Sequence, residues 1–120
     1  MDYDVQEQVL DLYRNPLNKG LLKNATLQYK IDNPLCGDQV ELTVKLDEND
    51  TVVAVGWEGN GCSISQIGAS LLTNYIKNKS REELKKITSD EVIQMTGLNL
   101  NPTRLRCLLL AFTALQKIFL

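Results

Sequence analysis

The sequence predicts an α+β fold, a three-stranded antiparallel sheet with helices packed on it. Three observations carry that prediction. Leu27 to Ile31 and Val40 to Leu46 alternate apolar and polar residues, and Val52 to Trp57 is a third β-like run. Asp47-Glu48-Asn49-Asp50, between the second and third runs, has the composition of a hairpin loop. From Ile64 onward the apolar residues recur at three- and four-residue spacing, the period of helices.

A chain of 120 residues suits one domain, taken as 1–120, because no repeat, linker or low-complexity tract divides it. The hydrophobic share of 43% is ordinary for a globular protein, and a net charge of −2 argues against general nucleic-acid binding. No apolar run approaches the roughly 18 residues that a membrane span requires, so no membrane partner is expected. The opening residues Met1-Asp2-Tyr3-Asp4 are acidic and lack the pattern of a signal peptide, so a cytoplasmic location is expected. Three cysteines, Cys36, Cys62 and Cys107, are an odd number for a disulfide framework and suit thiols kept reduced. The chain has no histidine, so any metal must be held by Cys, Asp, Glu or a partner's ligand.

Taken in order, the first helix is predicted from Asp4 for about ten residues, with Val5, Val9, Leu12 and Tyr13 on one face. Asp4 and Glu7 resemble a capping box, and Asn15-Pro16 ends the helix. Asn18-Lys19-Gly20 reads as a loop before the three strands. A long helix is expected over Ile64 to Ile76, and Ser80-Arg81-Glu82-Glu83 and Thr88-Ser89-Asp90-Glu91 are capping boxes opening two short helices. Asn101 followed by Pro102 is an N-cap with proline at the first helical position, and one last helix is expected through Phe119. Trp57 and Tyr75 are expected to pack in the core.

Gly59-Asn60-Gly61-Cys62-Ser63-Ile64-Ser65 stands where the third strand gives way to the long helix. A thiol there is biased toward thiolate by the helix dipole and by backbone N–H groups that lack intrahelical partners. Gly59 and Gly61 permit positive φ or a close approach of backbone to an ion. The ordinary reading of such a residue is a small buried thiol. A turn centred between Glu48 and Asn49 pairs Leu46 with Thr51 and Val40 with Trp57, which sets Asp38 opposite Gly59 and Cys36 opposite Gly61. Cys36, Asp38 and Cys62 then share one end of the sheet. Cys107, which by itself reads as a core residue, is a candidate fourth ligand.

Three thiolates and a carboxylate suit zinc, and equally the iron of a nascent cluster, whereas Mg²⁺ and Ca²⁺ prefer all-oxygen sites. Such a set leaves net negative charge on a divalent ion, and Arg104 or Arg106 is the candidate counter-charge. Asp38, the least tenacious ligand for a soft ion, is the place where ligands would exchange, which favours a working site over a purely structural one. A module in which zinc only staples the loops is the alternative from a different class.

Asn33-Pro34-Leu35-Cys36-Gly37-Asp38, Glu58-Gly59-Asn60-Gly61-Cys62-Ser63-Ile64-Ser65 and Pro102-Thr103-Arg104-Leu105-Arg106-Cys107 resemble the three cysteine motifs of the iron-sulfur assembly proteins of the IscU, SufU and NifU N-terminal type. Tyr13-Arg14-Asn15-Pro16-Leu17-Asn18-Lys19-Gly20 resembles that family's N-terminal pattern, so the likeness covers nearly the whole chain. It implies the SufE/NifU-like fold and a metal or cluster site formed by Cys36, Asp38, Cys62 and Cys107. It also implies that Cys36 accepts persulfide sulfur from a PLP-dependent cysteine desulfurase of the SufS or IscS type, and that apo iron-sulfur proteins or downstream carriers are further partners. Zinc is the expected ion, with iron or a [2Fe-2S] cluster built on a scaffold as the alternative. Arg106 stands where IscU members normally have histidine, as basic residues do in SufU-like members, while the Cys62 to Cys107 segment has a length closer to IscU. SufU-like members are the nearest match.

Overall fold

The computed structural model describes residues 3–34 and 37–119. The chain runs α1 (Tyr3–Arg14), β1 (Leu27–Asp32), β2 (Gln39–Leu46), β3 (Val52–Asn60), α2 (Ser63–Ile76), α3 (Arg81–Lys85), α4 (Ser89–Thr96), α5 (Pro102–Leu108) and α6 (Leu110–Ile118). The strands form one antiparallel sheet in the order β1-β2-β3, as predicted. Alternation along β2 aims Val40, Leu42, Val44 and Leu46 at one face, where all four are buried beneath α2 and α6. Trp57 shares that buried face across from Leu42.

The sheet is held from its margin by the segment before β1. Leu17 and Asn18 offer carbonyls to the Trp57 indole N–H at 2.7 Å and to its backbone N–H at 3.1 Å, and Gly20 N–H donates to the Trp57 carbonyl at 2.6 Å. The predicted loop at Asn18-Lys19-Gly20 therefore lies along the outer edge of β3 and satisfies backbone groups that would otherwise be open. Tyr75 is half-buried rather than enclosed. Its ring lies against the core and its hydroxyl donates to Glu91 Oε2 at 2.6 Å.

The register between β2 and β3 differs from expectation by two residues, for two local reasons. At the hairpin, Asp50 N–H donates to Asp47 O and Asp50 takes φ 58°, so a left-handed residue follows the turn and adds one position on the β3 side. Asp47 Oδ1 accepts from the N–H groups of Asn49 and Thr51, which fixes this conformation. Beyond the turn, Leu46 pairs with Val52 but Lys45 pairs with Ala54, leaving the exposed Val53 as a β-bulge. Hence Val40 faces Gly59 instead of Trp57. The same register carries Gly61, rather than Gly59, to Asp38.

Two helix predictions also change. Helix α1 already begins at Tyr3, ahead of Asp4, so Asp4 is not its N-cap. The expected single last helix is two, α5 and α6, meeting at Leu109. There the Leu108 carbonyl presses on Gly68 of α2, where a Cβ would stand 2.1 Å from that oxygen, and Thr113 Oγ1 donates back to the Leu109 carbonyl at 2.9 Å. Back-bonding of this kind bends a helix. The other caps form as read. Ser80 with Glu83 and Thr88 with Glu91 make reciprocal capping boxes, and Asn101 caps α5 ahead of Pro102. Among the described residues no helix is long and apolar enough to cross a membrane.

Candidate functional site

The turn between β1 and β2, the junction of β3 with α2, and helix α5 carry the predicted site residues. In the first, Asn33 N–H donates to the Asp38 carbonyl and Gly37 N–H to the Asn33 carbonyl, each at 2.8 Å, which closes the turn and delivers Asp38 to the start of β2. Leu35 and Cys36 lie outside the described residues, and with them the predicted pairing of Cys36 with Gly61 and its role as sulfur acceptor.

Asp38 is fully buried. Its Oδ2 accepts from the Ser65 hydroxyl, whereas Oδ1 is buried with no hydrogen-bond partner among the described residues. A buried acceptor left bare costs about 1–3 kcal/mol, and more when charged, so this oxygen is a place where a cation offsets a penalty already present.

Gly61 is why the carboxylate and α2 come so close. It takes φ +101°, and a Cβ there would stand 2.7 Å from both Cα and Cβ of Asp38. Gly59 plays a different part from the one predicted. It is an ordinary strand residue without positive φ, and a Cβ on it would stand 2.5 Å from the Gln39 carbonyl. Cys62 is the N-cap residue of α2, extended at φ −63° and ψ 134° and half-buried, which is the strand-to-helix position predicted for it. Its own side chain makes no capping bond.

Cys107 is buried on α5. Its Sγ accepts from Asn33 Nδ2 at 3.9 Å. The burial agrees with the reading of Cys107 as a core residue, and Asn33 is a polar neighbour that sequence spacing did not reveal. Asn33 joins two predicted residues, Asp38 through its backbone and Cys107 through its side chain. Ser65 joins Asp38 to the first turn of α2. Both fell inside the cysteine motifs without a role; the corrected register brings the start of α2 toward Asp38 and so points to Ser65, whereas no sequence signal marks the contact of Asn33 with Cys107. Arg104 and Arg106 are exposed on α5.

Among the described residues no three Cys, Asp or Glu side chains form a group that would by themselves hold a metal ion. The donor types nonetheless fit a soft cation: two thiols and a carboxylate whose free oxygen is buried beside a helix N-terminus.

Comparison with known proteins places the chain in a family. The model of the NifU-like N terminal domain matches residues 4–119. The zinc-dependent sulfurtransferase SufU of Bacillus subtilis is 36% identical, with 98% of this chain and 90% of that protein covered. That alignment spans 134 positions against a chain of 120, so the Bacillus protein carries segments absent here. The iron-sulfur cluster assembly scaffold protein IscU of Haemophilus influenzae is 31% identical over 113 positions, covering 92% and 88% of the two chains. In three dimensions the FiSufU structure from Fervidobacterium islandicum AW-1 superposes with a TM-score of 0.81 at 25% identity, with 95% of each chain covered. With nearly its whole length matched by the family model and more than a third of its residues identical to SufU, the chain belongs to the NifU-like N terminal domain family.

Proposed function

We propose that this chain works in iron-sulfur cluster biogenesis as a zinc-binding sulfur acceptor, receiving persulfide sulfur from a PLP-dependent cysteine desulfurase. In this reading Cys36, Asp38, Cys62 and Cys107 hold the ion and residues 1–120 act as one domain in the cytoplasm. The ion's contribution is charge neutralisation and ligand exchange at one point. The observation that carries the reading is the Asp38 carboxylate, fully buried with Oδ1 bare, on the strand end that faces Gly61 and the start of α2. The similarity to a zinc-dependent sulfurtransferase supports zinc as the resident ion.

The chain's own chemistry in the transfer is nucleophilic. The Cys36 thiolate attacks the outer sulfur of the desulfurase persulfide. The new S–S bond forms at Cys36 as the old one breaks, and the desulfurase cysteine leaves as thiolate, so no outside oxidant or reductant is needed. Arg104 and Arg106, exposed on α5, offer positive charge for an anionic sulfur donor approaching from solvent. Metal analysis of protein purified without added metal should give about one zinc per chain. Cys36→Ala should abolish stimulation of the desulfurase, and stimulation at the wild-type level by that variant would overturn the reading.

A second reading, a scaffold on which a [2Fe-2S] cluster is assembled and passed to apo-proteins, is favoured by the similarity to the IscU scaffolds. Anaerobic reconstitution with iron and sulfide separates the two. A visible charge-transfer spectrum that persists longer in Asp38→Ala supports the scaffold, and zinc that iron fails to displace supports the sulfur acceptor.

A further inference from the structure

Asp38 has two carboxylate oxygens in very different situations. Oδ2 is occupied by the hydroxyl of Ser65, which is itself fully buried in the first turn of α2, and Oδ1 has no partner among the described residues. A carboxylate free at both oxygens rotates about its χ2 bond and can chelate an ion with either or both. One pinned by a buried hydroxyl presents a single oxygen in a fixed direction. We propose that Ser65 is a positioning residue that makes Asp38 a one-oxygen ligand, holding Oδ2 away so that only Oδ1 is offered to the cation. This rests on the reading of Asp38 as a ligand.

The backbone supports the same arrangement. Gly61 packs on Asp38 Cα and Cβ, which fixes the base of the side chain, and Ser65 fixes its tip. Oδ2 already accepts one hydrogen bond in a fixed direction, and Oδ1 accepts none among the described residues. A ligand that supplies one oxygen from a fixed direction keeps a soft ion four-coordinate, whereas a carboxylate free to turn is not held in that geometry and can bring in a fifth donor. Ser65 therefore sets the direction and number of oxygens at this corner of the site.

The test compares wild type, Ser65→Ala, Ser65→Thr and Asp38→Ala, the last with and without Ser65→Ala. Zinc affinity is measured by competition with a chromogenic chelator, and coordination is followed by the visible bands of cobalt(II), which weaken when a fifth donor is added. Ser65→Ala should lower zinc affinity by about 10–100-fold, the usual effect of losing a group that orients a ligand. It should also weaken the cobalt bands. Ser65→Thr, which keeps the hydroxyl, should restore both. Adding Ser65→Ala to Asp38→Ala should change neither.

Wild-type affinity and spectrum in a folded Ser65→Ala protein overturn the inference, as does an equal loss in the Asp38→Ala background. If Ser65→Ala does not fold, the double variant decides. Folding restored by removing the bared carboxylate supports the Ser65–Asp38 link, and a double variant that also fails to fold refutes it. Wild-type protein that binds neither zinc nor cobalt defeats the ligand reading itself, a result distinct from an unaffected Ser65→Ala.

Discussion

Replacing Gly61 with alanine tests the contact that joins the helix start to the sheet end. The residue sits at φ +101°, where an L side chain is strained by of order 1–3 kcal/mol. Its Cβ would also stand 2.7 Å from two Asp38 atoms, one of them backbone. Forcing those apart adds the penalty of overpacking, about 1–3 kcal/mol. Together the loss is about 2–6 kcal/mol, a large part of the stability of a typical domain. Trp57 is the only tryptophan and is fully buried, so its fluorescence reports unfolding directly. With a slope of about 2 kcal/mol per molar urea, the midpoint should fall by roughly 1–3 M. Gly37→Ala is the control: φ is +74°, but nothing lies within 4 Å of a Cβ there, so only the backbone strain applies and the midpoint should fall by no more than about half as much. Equal midpoints for the two variants, or a Gly61→Ala midpoint within about 0.3 M of wild type, would refute the claim that Gly61 is required by contact with Asp38.

Further outcomes follow from other contacts. Gly68→Ala drives a methyl into the Leu108 carbonyl and should lower the melting temperature by roughly 4–12 °C, read by circular dichroism, from an overpacking loss of about 1–3 kcal/mol. Ser80→Ala and Thr88→Ala each remove a capping box and should each cost about 1 kcal/mol in urea unfolding, with near-additive effects in the double variant. The Tyr75 hydroxyl holds the Glu91 carboxyl below its ordinary pKa, and Glu91 in turn raises that of Tyr75. Because Glu91 is depressed in the folded state, its contribution is present above the unfolded pKa and is lost as pH falls through the folded one. In Tyr75→Phe, carboxyl NMR should show the Glu91 midpoint moved upward, and an unchanged midpoint would remove the hydroxyl as the main cause.

The sequence alone determined the elements and the identity of the candidate ligands. Alternation marked β1 and β2, a β-like run marked β3, capping boxes marked α3 and α4, and Asn101 with Pro102 marked the start of α5, because each of these signals lies within a few residues of the structure it specifies. The motifs around Cys36, Cys62 and Cys107 carried the family, which the comparisons bear out. Register was beyond reach of numbering, since a left-handed Asp50 and a bulge at Val53 each shift the pairing by one, and neither carries the glycine that usually marks such a position. The bend at Leu109 was equally hidden, because the carbonyl contact with Gly68 comes from a helix distant in sequence. Only tertiary packing decided that Asp38 meets Gly61 and Ser65, and that Asn33 reaches Cys107. A side chain's partners across a sheet end depend on the sum of every turn and bulge between them, and that sum exists only once the chain has folded.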